Sequence, residues 1–144
     1  MLRLVLDTNV VLGLFHWGDA DAAPILRALE EGRAECLADE RTLDELRRVL
    51  AYPQFGLRPE MIAGHYARYA ALARPVSAAE APALPRCQDP DDQKFLELAA
   101  RADADILVSK DKALLRLRGR TRLAFRILSP AEAAVELMPP AGGR

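Results

Sequence analysis

The hydrophobic pattern of the chain opens with a short apolar run that stops at an acid. Apolar residues fill positions 2–6 almost continuously, which predicts a strand buried on both faces. A polar break at Asp7, Thr8 and Asn9 follows, and an apolar pattern at helical spacing restarts at Val10. An acid directly after a buried strand faces the crevice in which open α/β sheets bind ligands. Asp7 is therefore a candidate site residue, although Asp or Thr here would also cap the next helix.

The remaining pattern alternates helical and strand-like segments. Further strands are predicted at residues 34–38, 75–76, 105–109 and 124–128. Helices are predicted to begin near Pro24, Asp39, Pro59, Pro90 and Ser129, the first capped by Asp19 or Asp21 and the last by a Ser129–Glu132 capping box. This rhythm favours a three-layer α/β/α fold with a central parallel sheet. We expect one domain over residues 1–137 and a flexible tail over 138–144.

Glu45 is the second candidate acid, because of its direction on a predicted helix. The helix over residues 39–51 carries one apolar stripe that includes Leu46 and Leu50. At 100° per residue Glu45 lies at the edge of this stripe, whereas Asp44 points to nearly the opposite side. Glu45 can therefore reach a cleft beside the core, and Asp44 is expected in water. The fourth predicted helix, from Pro59, shows only a core-packing stripe.

Three acids precede or open the fifth predicted helix. Asp89 and Asp91 suit helix capping, since acids favour a helix N-terminus. Asp92 projects in the middle of the apolar face, whereas Lys94 and Glu97 are predicted to project away from it. A carboxylate on the buried side of a helix is costly unless something compensates it. The direction of Asp92 therefore predicts a cation nearby.

Asp111 completes the series of acids, two residues beyond the predicted strand at 105–109. If that strand neighbours the first one, four carboxylates converge on one crevice: Asp7, Glu45, Asp92 and Asp111. Their repulsion, about 1 to 4 kcal/mol per pair at about 4 Å, would be relieved by a divalent cation. Oxygen ligands alone favour Mg²⁺ or Mn²⁺ over zinc.

Composition and charge narrow the classes of protein. With 144 residues, 51% of them hydrophobic, the chain is long and apolar enough for one folded domain. It carries no apolar run long enough to span a membrane and no signal-peptide pattern, so a cytoplasmic protein without a membrane partner is expected. Cys36 and Cys87 match no metal-ligand spacing and are expected as free thiols, and His16 and His65, far apart in sequence, as ordinary surface or boundary residues.

Basic residues cluster late in the chain although the net charge is only −1. The cluster has no compensating acid after Asp111 and comprises Lys110, Lys112, Arg116, Arg118, Arg120, Arg122 and Arg126. Such a run is usually a solvated face, and a nucleic-acid footprint is the main alternative.

Four motifs in series give the chain a family resemblance. They are LVLDTNV at Asp7, TLDELRRVL at Glu45, DPDDQKFLELA at Asp92 and DILVSKD at Ser109 and Asp111. Each is weak alone, but together they cover nearly the whole chain in the right order. The chain resembles a PIN domain, close to the prokaryotic group described as toxin components of toxin–antitoxin systems.

The resemblance implies a metal-dependent ribonuclease with a central parallel sheet. In that family the positions matching Asp7, Glu45, Asp92 and usually Asp111 hold Mg²⁺ or Mn²⁺. Asn9 and Ser109 match polar positions that support the site, and Asp89 is kept as a further supporting candidate. It also implies an RNA substrate, a small antitoxin partner and a homodimer.

Other functions remain open from the sequence. A PIN-like module could bind RNA or a protein without cutting, and the substrate of a nuclease could be DNA. A phosphatase of the haloacid dehalogenase type would use Asp7 as nucleophile, but it needs a second acid two residues later, where this chain has Asn9.

Overall fold

A computed structural model describes residues 1–77, 90–118 and 123–138. Its centre is one sheet in which every paired strand runs parallel to its neighbour. The strands are β1 (Leu2–Leu6), β2 (Ala34–Ala38), β3 (Ala73–Pro75), β4 (Ile106–Val108) and β5 (Arg126–Leu128), in the spatial order β3-β2-β1-β4-β5. The predicted parallel sheet is therefore confirmed, with β1 in its middle.

Helices connect the strands, and all of them except the short helix Lys112–Leu115 begin near positions that the sequence predicted. The helices are α1 (Thr8–Leu12), α2 (Ala23–Glu30), α3 (Glu40–Leu50), α4 (Pro59–Leu72), α5 (Gln93–Arg101), α6 (Lys112–Leu115) and α7 (Pro130–Glu136). A π-helical turn, Gly13–Trp17, continues α1, and 3₁₀ turns occupy Pro53–Phe55 and Pro90–Asp92.

The strands place alternate side chains in two separate cores. Leu4 and Leu6 pack on one face of the sheet, with buried residues of α1, α2, α3, α4 and α7. Val5 packs on the other face, with α5 and α6. Because successive side chains of a strand point to opposite faces, helices cover both sides. The structure thus has the predicted three α/β/α layers.

Helix caps agree with the sequence at two helices and differ at a third. Asp39 with Thr42, and Ser129 with Glu132, form capping boxes at the starts of α3 and α7. The prediction that Asp19 or Asp21 caps α2 is wrong, because its N-cap is Ala22, without a capping side chain. The carboxylate of Asp19 instead accepts a hydrogen bond from Lys110 at 2.6 Å.

Helix α4 is more exposed than its stripe of apolar residues predicted. Of its residues only Tyr69 is fully buried, and Met61 is 38% exposed. The neighbouring strand β3 lies at the edge of the sheet, so α4 covers a margin rather than the centre.

The carboxyl ends of β1 and β4 form the switch point of the sheet. From β1 the chain moves outward to β2 and β3, then returns to form β4 on the other side of β1. Leu6 is in register with Val108, and the backbone N–H of Asp7 donates to the Val108 carbonyl at 3.1 Å. The next residues after both strands therefore face one crevice, where open α/β sheets bind ligands.

Several predictions concern residues outside the described ranges: Asp89, Cys87, Arg120, Arg122 and the tail residues 139–144. Within the described ranges, no helix combines the length and apolar character needed to cross a membrane.

Candidate functional site

Asp7 occupies the centre of the candidate site, directly after β1. Its side chain is only 3% exposed. Oδ1 accepts a hydrogen bond from the Val10 backbone N–H at 3.0 Å and so caps α1, while Oδ2 accepts one from the Ser109 hydroxyl. One carboxylate oxygen therefore caps the helix, as the sequence allowed, and the other faces β4.

Burial disfavours the ionised form of Asp7. It raises the pKa of this carboxyl from 3.8 to about 6, and the negative charge of Asp111 acts in the same direction. The hydrogen bonds from Ser109 and Val10, and the positive charge of Lys110, lower the pKa but do not offset burial. The ionised carboxylate at neutral pH therefore lacks a full counter-charge. Such an acid in a cleft marks a candidate functional site that would favour a cation.

Ser109 joins Asp7 to Asp111. Its hydroxyl is fully buried, donates to Asp7 and accepts the backbone N–H of Asp111 at 2.9 Å. The half-buried Asp111 in turn caps α6, since its Oδ1 accepts from the Ala113 N–H at 2.8 Å. One hydroxyl thus fixes both the carboxylate that follows β1 and the segment that follows β4.

Glu45 reaches the same strand end from α3. Its side chain is 11% exposed, and Oε2 accepts a hydrogen bond from the hydroxyl of Thr8, the residue next to Asp7. Asp44, the next residue back along α3, has a side chain that is 59% exposed. The predicted directions of both side chains are confirmed.

A lysine provides the nearest cation to Glu45. The ammonium of Lys94 lies 2.5 Å from Glu45 Oε1 and 2.6 Å from the backbone carbonyl of Asp91, and Arg48 lies 3.9 Å from the same Glu45 oxygen. The Lys94 side chain is 16% exposed, so the prediction that it projects away is wrong. A 3₁₀ turn precedes α5, and the long stem of a lysine can bend from a helix edge into a cleft.

Asp92 lies at the start of α5, the helix that supplies Lys94. Asp92 is buried and Asp91 is exposed, which agrees with the predicted inward direction of Asp92. The first turn of α5 therefore borders the Glu45 carboxylate. Glu97 points to another part of α3, where its carboxylate pairs with Arg41 at 2.9 Å.

The structure places the two described supporting candidates differently. Ser109 contacts Asp7, whereas Asn9 is exposed at the first turn of α1. Thr8 makes the buried contact with Glu45 instead, and sequence reasoning did not select it for this role. Its position between Asp7 and an apolar helix was the available signal.

Comparison with known proteins gives the family. The family model described as PIN domain matches residues 3–113, well over half of the chain. The chain belongs to the PIN domain family. A search of curated protein sequences gives no match.

A solved structure shows a similar fold. It is described as the crystal structure of VapBC2 from Rickettsia felis bound to a DNA fragment from their promoter. The match has a TM-score of 0.63 and 12% sequence identity, and it covers 89% of this PIN domain and 98% of that chain. At this identity the likeness supports the fold.

The acids of this PIN domain are the right kind of ligand for a divalent cation, but the distances between them are larger than a metal site needs. Carboxylate and hydroxyl oxygens, the ligands that hard cations prefer, lie at the strand ends. The charge of the buried Asp7 carboxylate is not fully compensated, so a cation would stabilise it. Within residues 1–77, 90–118 and 123–138, however, no three acids, histidines or cysteines stand close enough to hold a metal ion. The structure links Asp7 to Asp111 through Ser109, and it places the Glu45 carboxylate against Thr8. The four predicted acids do not form one compact cluster within the described residues.

Two other expectations for this PIN domain can be compared with the structure. His16 and His65 are both half-buried, as expected of boundary residues, although their ring centroids lie only 5.5 Å apart. The basic run is not without compensating acids, because Lys110 pairs with Asp19, Arg118 with Glu132 and Arg126 with Glu136. Those three partly exposed pairs agree with a solvated face, and Arg120 and Arg122 of the run lie outside the described residues.

Proposed function

We propose that this PIN domain is a metal-dependent ribonuclease that hydrolyses RNA phosphodiester bonds. The observation that carries the proposal is the buried Asp7 carboxylate at the switch point of the sheet, with its pKa raised to about 6. Hydrogen bonds through Ser109 and Thr8 connect it to the segments that carry two further acids.

Four acids would hold Mg²⁺ or Mn²⁺ in this proposal: Asp7, Glu45, Asp92 and Asp111. When bound, such an ion lowers the pKa of a water molecule and neutralises charge on the phosphate and the leaving oxygen. The identity of the residues supports the proposal, since all are oxygen donors suited to hard cations.

The protein's own residues orient these acids and hold the substrate. Ser109 fixes the direction of Asp7, and Thr8 fixes that of Glu45, so neither carboxylate rotates freely. Arg48 and Lys94, whose cationic groups lie near the Glu45 carboxylate, are suited to bind the phosphate backbone. Preorganised groups of this kind accelerate phosphodiester hydrolysis chiefly by positioning.

We further infer that the protein acts in the cytoplasm as the toxin of a toxin–antitoxin pair. The similarity of its fold to a VapBC2 chain supports this, as do the four motifs. A small antitoxin would be the partner, and the toxin would form a homodimer. RNA is the proposed substrate, with DNA as the competing one.

Metal binding is the first test, because it needs no knowledge of the RNA sequence. We expect Mn²⁺ to raise the melting temperature of the wild type and to release or absorb heat in a calorimeter. At a concentration about a hundredfold above the dissociation constant, the stabilisation is about 2.7 kcal/mol. Asp7→Asn should abolish both effects. Asp44→Asn is the matched control, since Asp44 lies on the same helix as Glu45 but is largely exposed.

RNA cleavage is the second test. The wild type should cleave single-stranded RNA only with Mn²⁺ or Mg²⁺, and Asp7→Asn and Asp92→Asn should each lose this cleavage. Full metal-dependent activity in both variants would contradict the proposal.

A non-catalytic RNA- or protein-binding module is the second candidate. The contact between the Lys94 ammonium and Glu45 favours it, because an internal cation already compensates one of the acids. An intact fold that binds RNA but neither Mn²⁺ nor Mg²⁺ would support this function over the nuclease.

A further inference from the structure

Three aromatic side chains form an exposed surface, which we call the aromatic platform: Trp17, Tyr52 and Phe55. The rings of Tyr52 and Phe55 are nearly parallel, with an interplanar angle of 9° and centroids 6.3 Å apart. Phe55 meets Trp17 edge to face at 6.2 Å. Trp17 is 44% exposed and Tyr52 is 39% exposed. In the described ranges only five large hydrophobic side chains are at least 39% exposed, and two of them belong to this one aromatic group.

Two tight turns hold the platform in place. Trp17 ends the π-helical turn after α1, and Gly18 reverses the chain there with a φ of 62°. Phe55 ends a 3₁₀ turn, followed by Gly56 at a φ of 59°. The ring of His16 lies between the two turns and contacts both Trp17 and Phe55, at 6.3 and 6.2 Å. The His16 ring and the two turns therefore hold the aromatic rings of the platform in place.

The platform is continuous with the candidate site. The ammonium of Lys110 lies 5.3 Å from the centre of the Trp17 ring, and Asp19 holds that ammonium at 2.6 Å. Lys110 stands between Ser109 and Asp111, the two residues that link β4 to Asp7. A substrate that reaches the acids from this side passes the Trp17 ring and then Lys110.

We propose that the aromatic platform stacks unpaired bases of single-stranded RNA, with the Lys110 ammonium at the adjacent phosphate. The proposal rests on the nuclease function proposed above and names the form of nucleic acid that the site takes. Flat aromatic faces beside a cation match a base and its phosphate, and every base offers such a face. An aliphatic groove would suit a protein helix better, whereas the two exposed large apolar residues of the platform, Trp17 and Tyr52, are both aromatic.

The single tryptophan of the chain makes the stacking observable. The experiment titrates the wild type, in EDTA so that no cleavage occurs, with a short oligoadenylate. A second titration uses an oligonucleotide of the same length whose central positions lack bases. We expect the first to quench Trp17 fluorescence and to bind about tenfold more tightly than the second. Equal affinity for both, or no change in fluorescence at saturation, would overturn the proposal.

Substitutions locate the stacking on the platform. Binding is followed through the anisotropy of a fluorescein-labelled oligoadenylate, which does not depend on the tryptophan. Trp17→Leu and Tyr52→Leu should each weaken binding about tenfold, while Trp17→Phe keeps a ring and should weaken it less. Met138→Ala is the control, since Met138 is a 63% exposed apolar residue beyond α7. A cooperative melt for each variant confirms that it folds.

The outcomes separate the platform from the nuclease. If Asp7→Asn abolishes cleavage yet still shows Trp17 quenching, both proposals stand. If the wild type binds Mn²⁺ and cleaves RNA while Trp17→Leu binds oligoadenylate normally, only the platform is overturned. A change of oligomeric state in Trp17→Leu, with normal oligoadenylate binding, would assign the surface to contact between copies of the chain and likewise overturn it. If oligoadenylate quenches Trp17 but the wild type cleaves no RNA with either Mn²⁺ or Mg²⁺, the platform proposal stands and the nuclease proposal is overturned.

Discussion

The hydroxyl of Ser109 donates a hydrogen bond to the carboxylate of Asp7 across the two central strands, although the residues are 102 positions apart in sequence. The bond favours the ionised form of Asp7 and so opposes the effect of burial. Ser109 therefore lowers the pH at which this buried acid becomes available to a cation.

Removing this hydroxyl should weaken metal binding. Ser109→Ala raises the pKa of Asp7 further, because the bond that lowers it is lost. We expect Mn²⁺ affinity at a fixed pH near neutrality to fall about tenfold, the usual scale of a hydrogen bond to a charged group. Calorimetric titrations with Mn²⁺ at several pH values should show the midpoint of binding at a higher pH than in the wild type.

Ser129→Ala is the control for this change. It deletes a hydroxyl that caps α7 and should reduce stability by about 1 kcal/mol without moving the pH midpoint of Mn²⁺ binding. If both variants behave alike, Ser109 has no special influence on Asp7.

The stability of the metal-free protein should fall as pH rises through the range in which Asp7 titrates. Burial raises the pKa of Asp7 from 3.8 to about 6, so the folded protein keeps a proton that the unfolded chain releases between these values. The stabilisation is complete below the lower value and is lost above the higher one. It amounts to about 3 kcal/mol, at about 1.4 kcal/mol for each pKa unit.

Asp7→Asn should remove this dependence. In EDTA near neutral pH the variant should melt at a higher temperature than the wild type, and Mn²⁺ should reverse the order. Asp44→Asn should follow the wild type throughout. A pH profile for Asp7→Asn that retains the wild-type fall would show that another group causes it.

Lys94 should compete with a divalent ion for Glu45. Its ammonium lies 2.5 Å from Oε1, and both side chains are largely buried. Lys94→Met leaves Glu45 without this cation, so the metal-free protein should lose about 1–3 kcal/mol of stability. Mn²⁺ should then bind more tightly and restore more stability than it does in the wild type.

Denaturant melts with and without Mn²⁺ measure both effects of Lys94→Met. Lys112→Met is the matched control, because Lys112 is exposed at the start of α6. If Lys94→Met binds Mn²⁺ no more tightly than the wild type, Lys94 does not compete with the ion for Glu45.

A buried ion pair should hold α3 against α5. Arg101 donates a hydrogen bond to the Asp39 carboxylate, and the two side chains are 7% and 4% exposed. Arg101→Met leaves the Asp39 charge buried and should cost about 3–5 kcal/mol, measured by urea unfolding. Arg41→Met removes a half-exposed arginine that contacts Asp39 and Glu97, and it should cost less than about 1 kcal/mol. Similar losses in the two variants would contradict this difference.

The sequence predicted those parts of the fold that depend on residues close together in the chain or on a regular spacing of apolar residues. The strand at residues 34–38 has the predicted bounds, because its apolar residues, broken only by Glu35, end at Asp39. The Ser129–Glu132 capping box needs only residues three apart, so it too was visible. The directions of Glu45 and Asp44 followed from helical geometry alone.

Contacts between distant segments were beyond such reasoning. Asp19 suits a helix cap locally, but Lys110 attracts its carboxylate in the folded protein. Lys94 reaches Glu45 only because α5 packs beside α3. The pairing of His16 with His65 likewise depends on where α4 lies. Each of these needs the tertiary arrangement, which the periodicity of a single segment does not contain.

The central position of β1 determines when the site can exist during synthesis of the chain. Asp7 is made before its partner Ser109, which follows 102 residues later. Until β4 is available, β1 lacks one of its two neighbours and Asp7 has no hydroxyl to orient it. Contacts this distant in sequence form late because a long loop must close first. A chain cut short before β4 therefore carries three of the motifs and no assembled site.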